Sequence, residues 1–181
     1  MFSPSRLARV FTCAVAAASL TVLVGASAAS AASSNTGFGF NARNVAGAGT
    51  ASATITGGGA FDPSSASVHA GGGFRCTNDV NQGPLTGCLA GEGVRWDAET
   101  LLASTGFKCT TSASEAGKTA TTDEHTAVML SDFYRAGDGN DESFTAKMFV
   151  SDHDLAPDID GVQNVWIQNV GCATAIAHFS S

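Results

Sequence analysis

The sequence predicts an all-β protein, a single-domain β-sandwich or β-barrel of about eight strands with one short helix and two disulfides. Three observations carry this expectation. Apolar and polar residues alternate along several segments, the two-residue period of half-buried strands. Helix start and stop signals are nearly absent. Beyond residue 31 the cysteine count is even, and glycine-rich stretches and turn dipeptides punctuate the chain.

The N-terminus reads as a targeting segment. Arg6 and Arg9 precede an apolar run from Val10 to Val24, and small residues follow from Gly25 to Ala31. A basic start, a short apolar stretch and an Ala-x-Ala end are the pattern of a secretory signal peptide, with cleavage expected after Ala28 or Ala31. The apolar run of about 15 residues falls short of the roughly 20 that a membrane-spanning helix needs. Cys13 lies inside the run without the setting of a lipid-attachment cysteine. The expected organisation is a signal peptide over 1–31 and one secreted β-domain over 32–181.

Charge excludes two classes of partner. The chain carries 9 basic and 16 acidic residues, a net charge of −7. Removing Arg6 and Arg9 with the signal segment leaves seven basic against sixteen acidic residues, about −9. Such a chain repels nucleic acid and anionic lipid. The partner expected is an extracellular ligand or protein, with no membrane attachment after signal removal.

The elements follow in order. Phe38 to Thr56, rich in Gly, Ala and Thr, supplies one or two strands. The triplets Gly57-Gly58-Gly59 and Gly71-Gly72-Gly73 then stand on either side of Asp62-Pro63-Ser64-Ser65. A phosphate-cradling loop would place its glycines between a strand and a helix start. Neither triplet precedes a helix pattern, and no Gly-Lys-Ser/Thr follows. Asp-Pro-Ser-Ser is instead a good turn, with proline preset for its second position. The triplets are expected to face each other across one hairpin, with Gly58 near Gly72. The resulting patch without side chains lets a large ring or a second sheet approach the backbone.

WDAETLLAS, Trp96 to Ser104, is the helix candidate. Asp97 would cap its start, Leu101 and Leu102 would face inward, and Gly106 would follow its end. HTAVMLSDFYRA and SFTAKMFVS read as a hairpin turning at GDGND, with Phe144, Ala146, Met148 and Val150 inward. VQNVWIQNV and CATAIAHFS supply two further strands, broken at Gly171.

Cys76, Cys88, Cys109 and Cys172 allow three pairings. The expected one joins Cys76 to Cys88 across a short loop and Cys109 to Cys172 across a long one. Loop-closure entropy then gives roughly 3 and about 4 kcal/mol respectively. No Cys-x-x-Cys spacing suggests a metal site or catalytic thiol.

Chemistry is weakly marked. The acidic stretches are GDGNDE, 137–142, and DHDLAPDID, 152–160. Asp152, Asp154, Asp158 and Asp160 are candidate calcium ligands on one loop, although the Asp-x-Asp-x-Asp-Gly spacing is missing. His69, His125, His153 and His178 lie far apart in sequence and form no His-x-His or His-Glu-x-x-His motif, so they read as surface histidines. Glu92 with Asp97 is a carboxylate pair that nothing in the spacing selects. Trp96, Trp166 and Tyr134 are rings able to stack a ligand or fill a core. No catalytic residue and no cofactor is indicated.

The stretches GPLTGCLAGEGVRWD, DFYRAGDGNDESFTAKM and GVQNVWIQNVGC resemble a group of small secreted proteins of actinobacteria. The resemblance covers most of the chain beyond residue 31, implies export, and transfers no catalytic residue. The Ala/Gly/Thr-rich composition is also similar to two-disulfide protease inhibitors and to immunoglobulin-like carriers of enediyne antibiotics, whose cysteine spacings differ from this one. The leading expectation is a secreted, non-catalytic β-domain binding a small ligand or an extracellular partner. The alternatives are an enzyme with its site in a barrel mouth and a secreted protease inhibitor.

Overall fold

The computed structural model describes residues 35–80, 86–135 and 143–181. The signal-peptide expectation, the middle of the loop before Cys88 and the turn at GDGND lie outside these residues. The strands are β1 (Thr36–Gly47), β2 (Ser52–Asp62), β3 (Ser67–Cys76), β4 (Gly93–Leu101), β5 (Ser104–Phe107), β6 (Lys118–Thr121), β7 (Thr126–Arg135), β8 (Ser143–Ser151), β9 (Val165–Ile167), β10 (Gly171–Ala173) and β11 (Ala175–Ser180).

Eight strands form a closed antiparallel barrel in the order β1-β2-β3-β4-β7-β8-β9-β10, with β10 returning to β1. Each neighbour in the wall is also a neighbour in sequence once the separate β5–β6 hairpin is set aside. β11 continues the line of β10 and pairs with the first half of β1, from Gly37–Ser180 to Ala42–Ala175. Of the two architectures left open by the sequence, the barrel is therefore the one formed. Closure removes most of the sheet edge that would otherwise invite pairing with other chains; β11 keeps one side without a strand partner among the described residues.

An eight-stranded barrel has an interior just wide enough for side chains to fill. Here it is filled with rings. Phe144 stacks on Phe133 with centroids 5.0 Å apart, Phe133 lies 6.5 Å from Trp96, and Trp96 lies 6.0 Å from Phe40. Phe38 continues the column to Phe61 and Phe179. Of the inward side chains of β7 and β8, Met129, Met148 and Val150 are fully buried, and Phe144 is partly buried against them. The alternation read from SFTAKMFVS is the one observed.

The glycine triplets open the space for this column. β2 and β3 pair so that Gly57 opposes Gly72 and Gly58 opposes Gly71, one residue from the expected register. The large ring is Trp96, which opposes Gly72 on β4. A Cβ on Gly57 would overlap the Trp96 indole and come within 2.6 Å of Gly71 O. The indole N–H donates to Thr56 O at 3.0 Å, so its polar atom is satisfied inside an apolar lumen.

The predicted helix at Trp96–Ser104 is absent. Those residues form β4, then the start of β5. The reason is a β-bulge: the register of β4 against β7 shifts between Ala98 and Thr100. The extra residue lets both Trp96 and Leu101 point inward although they are five positions apart. Leu101 lies in the lumen core whereas Leu102 packs outside it, so the two leucines read as one inward helical face lie on opposite sides of the wall.

A second apolar cluster lies outside the barrel. Val128, Phe149 and Trp166 point away from the lumen, where they meet Phe107 and Cys109 of the β5–β6 excursion, Ala156 of the 152–164 loop, and Cys172. Phe107 packs edge-on against Phe149 at 4.8 Å. Both expected disulfides are formed. Cys76–Cys88 ties the end of β3 to the loop before β4, and Cys109–Cys172 fastens the excursion to the barrel seam.

Glu115 braces the same excursion. It accepts from the backbone N–H of Cys109 and Thr110 and from the Thr110 hydroxyl, each at 2.7 Å, and pairs with Lys118 at 3.0 Å. Burial alone would raise its pKa. The hydrogen bonds from Thr110, Cys109 and Lys118 outweigh that and lower it to about 2.

Two mutational outcomes follow from these contacts. A Cβ at Gly72 would collide with Thr56 backbone, whereas one at Gly73 meets nothing within 4 Å. Gly72→Val and Gly57→Val should each destabilise by roughly 1–3 kcal/mol, while Gly73→Val, in an exposed strand position, should melt like wild type or higher. Thermal melts of the three variants check this. A folded pKa below the unfolded one means that the Glu115 contribution is complete above pH 4.5 and fades as pH falls towards about 2. Denaturant titrations should therefore show Glu115→Gln destabilised near neutrality, by about 1–3 kcal/mol, with the gap to wild type closing in acid.

Candidate functional site

Apart from the outward cluster covered by the β5–β6 excursion, the barrel points its apolar residues inward and sets Asn41, Arg43, Arg75, Arg95 and Glu99 on its exposed side. This is the reverse of a membrane-spanning barrel, whose apolar band faces lipid. Among the described residues no helix is long and apolar enough to cross a membrane. With the lumen filled, ligand chemistry is left to the outer surface.

A groove of about 780 Å³ lies on the outer face of β2, β3 and β4. Its floor is the nearly bare backbone of Gly72, Gly73 and Gly93, and Thr54 and Thr56 lie along one side. Arg75 and Arg95 form its walls. The pairing places Gly93 opposite Arg75 and Gly73 opposite Arg95, so both arginines rise beside positions without a side chain.

Arg95 is held in place. Its guanidinium lies 4.7 Å above the Tyr134 ring and 3.1 Å from an Asp97 carboxylate oxygen. The Tyr134 hydroxyl donates to that same carboxylate. Accepting from Tyr134 favours its neutral form, so the hydrogen bond to Asp97 raises the phenol pKa above 10; Arg95 opposes the shift, and partial burial adds to it. Arg75 is exposed and has no acidic partner among the described residues. A further recess of about 460 Å³ gathers Lys108, Lys118 and Lys147. There Lys118 is already neutralised between Glu115 and Asp158, each 3.0 Å away.

The four candidate calcium ligands are put to separate uses. Asp154 accepts from the backbone N–H of Ala156 and Gln163, bracing its own loop. Asp158 pairs with Lys118. Asp160 contributes its carbonyl to Gln163. Asp152 alone joins a cluster, and its partners are His125 and His153, each bonded through Nδ1 at 2.9 Å. That cluster has no signature in sequence, because the hairpin register brings its members together. His69 and His178 lie elsewhere, on β3 and β11.

The other residues singled out by sequence are not assembled into a site. Glu92 accepts from Leu89 N–H within its own loop, while Asp97 serves Arg95 and Tyr134. Trp96 fills the lumen, and Trp166 fills the second cluster with its N–H donated to Lys108 O. Tyr134 does not line the groove; it supports Arg95, which does. Arg75 and Arg95 carried no sequence signal beyond being two of few cations. Comparison with protein-family models, curated proteins and solved structures finds no match to this chain.

Tyr134 is the single tyrosine of the sequence, so an alkaline absorbance titration reads it alone. Its phenol should ionise above the ordinary value near 10, and Asp97→Asn should bring the midpoint down. An unshifted wild-type curve would contradict the Arg95–Asp97–Tyr134 arrangement.

Proposed function

We propose that the protein is a non-catalytic extracellular binding module that holds a flat, anionic ligand, a uronate-bearing oligosaccharide, in the groove of β2, β3 and β4. One observation carries the reading. A chain with a net charge of −7 sets Arg75 and Arg95 together over a glycine floor, with Thr54 and Thr56 beside them. A sugar ring lies flat on bare backbone, hydroxyls of threonine meet its hydroxyls, and an arginine fork pairs with its carboxylate. The lining contains no carboxylate pair and no nucleophile bonded to a base, which favours binding over catalysis. Extracellular placement is supported by the two disulfides, which persist in oxidising compartments.

Calorimetry with oligogalacturonate and with a neutral galactose oligomer tests the reading. The acidic oligomer should bind, the neutral one should not, and added salt should weaken the interaction. Arg75→Ala, at an exposed position, should leave the fold intact and reduce affinity by about tenfold or more, the loss of one charge-assisted contact. Equal binding of both oligomers, or binding that Arg75→Ala leaves unchanged, would remove the groove as the site.

A further inference from the structure

The geometry points to a second site of different chemistry: His125, Asp152 and His153 form a binding site for a late first-row divalent cation, of which zinc is the expected occupant. The three side chains stand at the open end of the β7–β8 hairpin, where His125 precedes β7 and Asp152 and His153 follow β8. Each offers a ligand atom, and the three atoms lie within 4.8 Å of one another. The imidazole centroids are 4.9 Å apart and tilted by 39°, so both rings face the same carboxylate. Glu124 lies on the far side of the His125 ring, its oxygen 3.4 Å from Nε2, outside the three-residue cluster.

Both backbones that carry the ligands are fixed by one buried knot. Ser151 and Thr126 are paired across the hairpin and share a side-chain hydrogen bond of 2.9 Å. The Ser151 hydroxyl also donates to His125 O and accepts from His153 N–H. Asp152 N–H donates to His125 O, and His125 N–H donates to the Asp123 carboxylate. The segments bearing the two histidines are thus joined to each other before any ion arrives, and only side-chain rotations remain. Ligand atoms around tetrahedral zinc lie roughly 3.3 Å apart, for bonds near 2.0–2.1 Å. The imidazoles, about half exposed, are free to close that distance.

Donor chemistry selects the ion. Two imidazoles with one carboxylate suit zinc, copper or nickel, whereas calcium and magnesium require oxygen cages. Binding would exchange the ring-to-carboxylate hydrogen bonds for bonds to the metal, with each ligating nitrogen giving up any proton it carries to the other ring nitrogen or to solvent. The exposed setting leaves a coordination position open to water or to a donor from a partner.

The test is a calorimetric titration of the untagged chain, first dialysed against a chelator and then titrated with zinc chloride, with calcium chloride as the comparison. Zinc should bind in one equivalent and raise the melting temperature, and calcium should do neither. His125→Ala and His153→Ala should each abolish the zinc isotherm while melting like wild type without metal. Imidazole NMR of the wild type keeps the question answerable if a variant misfolds: zinc should shift or broaden His125 and His153 and leave His69 and His178 in place. No zinc uptake, uptake retained by the double alanine variant, equal response to calcium, or shifts at His69 or His178 would overturn the assignment.

Discussion

The contact between the Trp96 indole and the bare backbone of Gly57 is the constraint on which this molecule depends. The ring occupies space where any Cβ on Gly57 would collide with it, and its N–H is satisfied by Thr56 O. Around it the column Phe144, Phe133, Trp96 and Phe40 runs through the lumen. A closed wall of eight strands needs an interior of this volume, since each empty methyl-sized gap costs stability. The glycine patch is therefore a packing device. Its outer side, free of side chains, is also what makes the floor of the β2–β4 groove.

Inside and outside then divide the work. The filled lumen excludes an internal ligand of the kind that wider barrels enclose. The outward apolar residues of β7, β8 and β9 are covered by the β5–β6 excursion, which Cys109–Cys172 and Glu115 hold down. That leaves the polar wall of β2, β3 and β4, and the open end of the β7–β8 hairpin, as the surfaces on which ligand-capable groups converge. Each is positioned by strand register rather than by a long loop, a rigid mounting for a binding residue.

Much of the fold was legible in the sequence where a single local rule governed it. The period of two in SFTAKMFVS, the Asp-Pro-Ser-Ser turn between glycine triplets, and the even cysteine count each stated one constraint, and each is met. WDAETLLAS misled because Asp97 has the look of a cap and Leu101-Leu102 of an inward face, whereas Asp97 serves Arg95 and Tyr134 and the two leucines fall on opposite sides of a bulged strand. The candidate sites were hardly legible at all. Arg75 and Arg95 converge through the pairing of β3 with β4, and His125 meets Asp152 and His153 through the pairing of β7 with β8. Such encounters are properties of register, with no motif at short range. The aspartates of the 152–160 loop were read as one group, yet bracing of the loop and the ion pair with Lys118 disperse all but Asp152.

The central claim is that Trp96 seals a lumen with no room for a ligand or for water. Acrylamide quenching of intrinsic fluorescence in Trp166→Phe, which leaves Trp96 as the sole tryptophan, tests it directly. A filled barrel predicts blue-shifted emission that acrylamide barely quenches until the protein unfolds. Emission characteristic of water-exposed indole, quenched efficiently in the native state, would contradict the account.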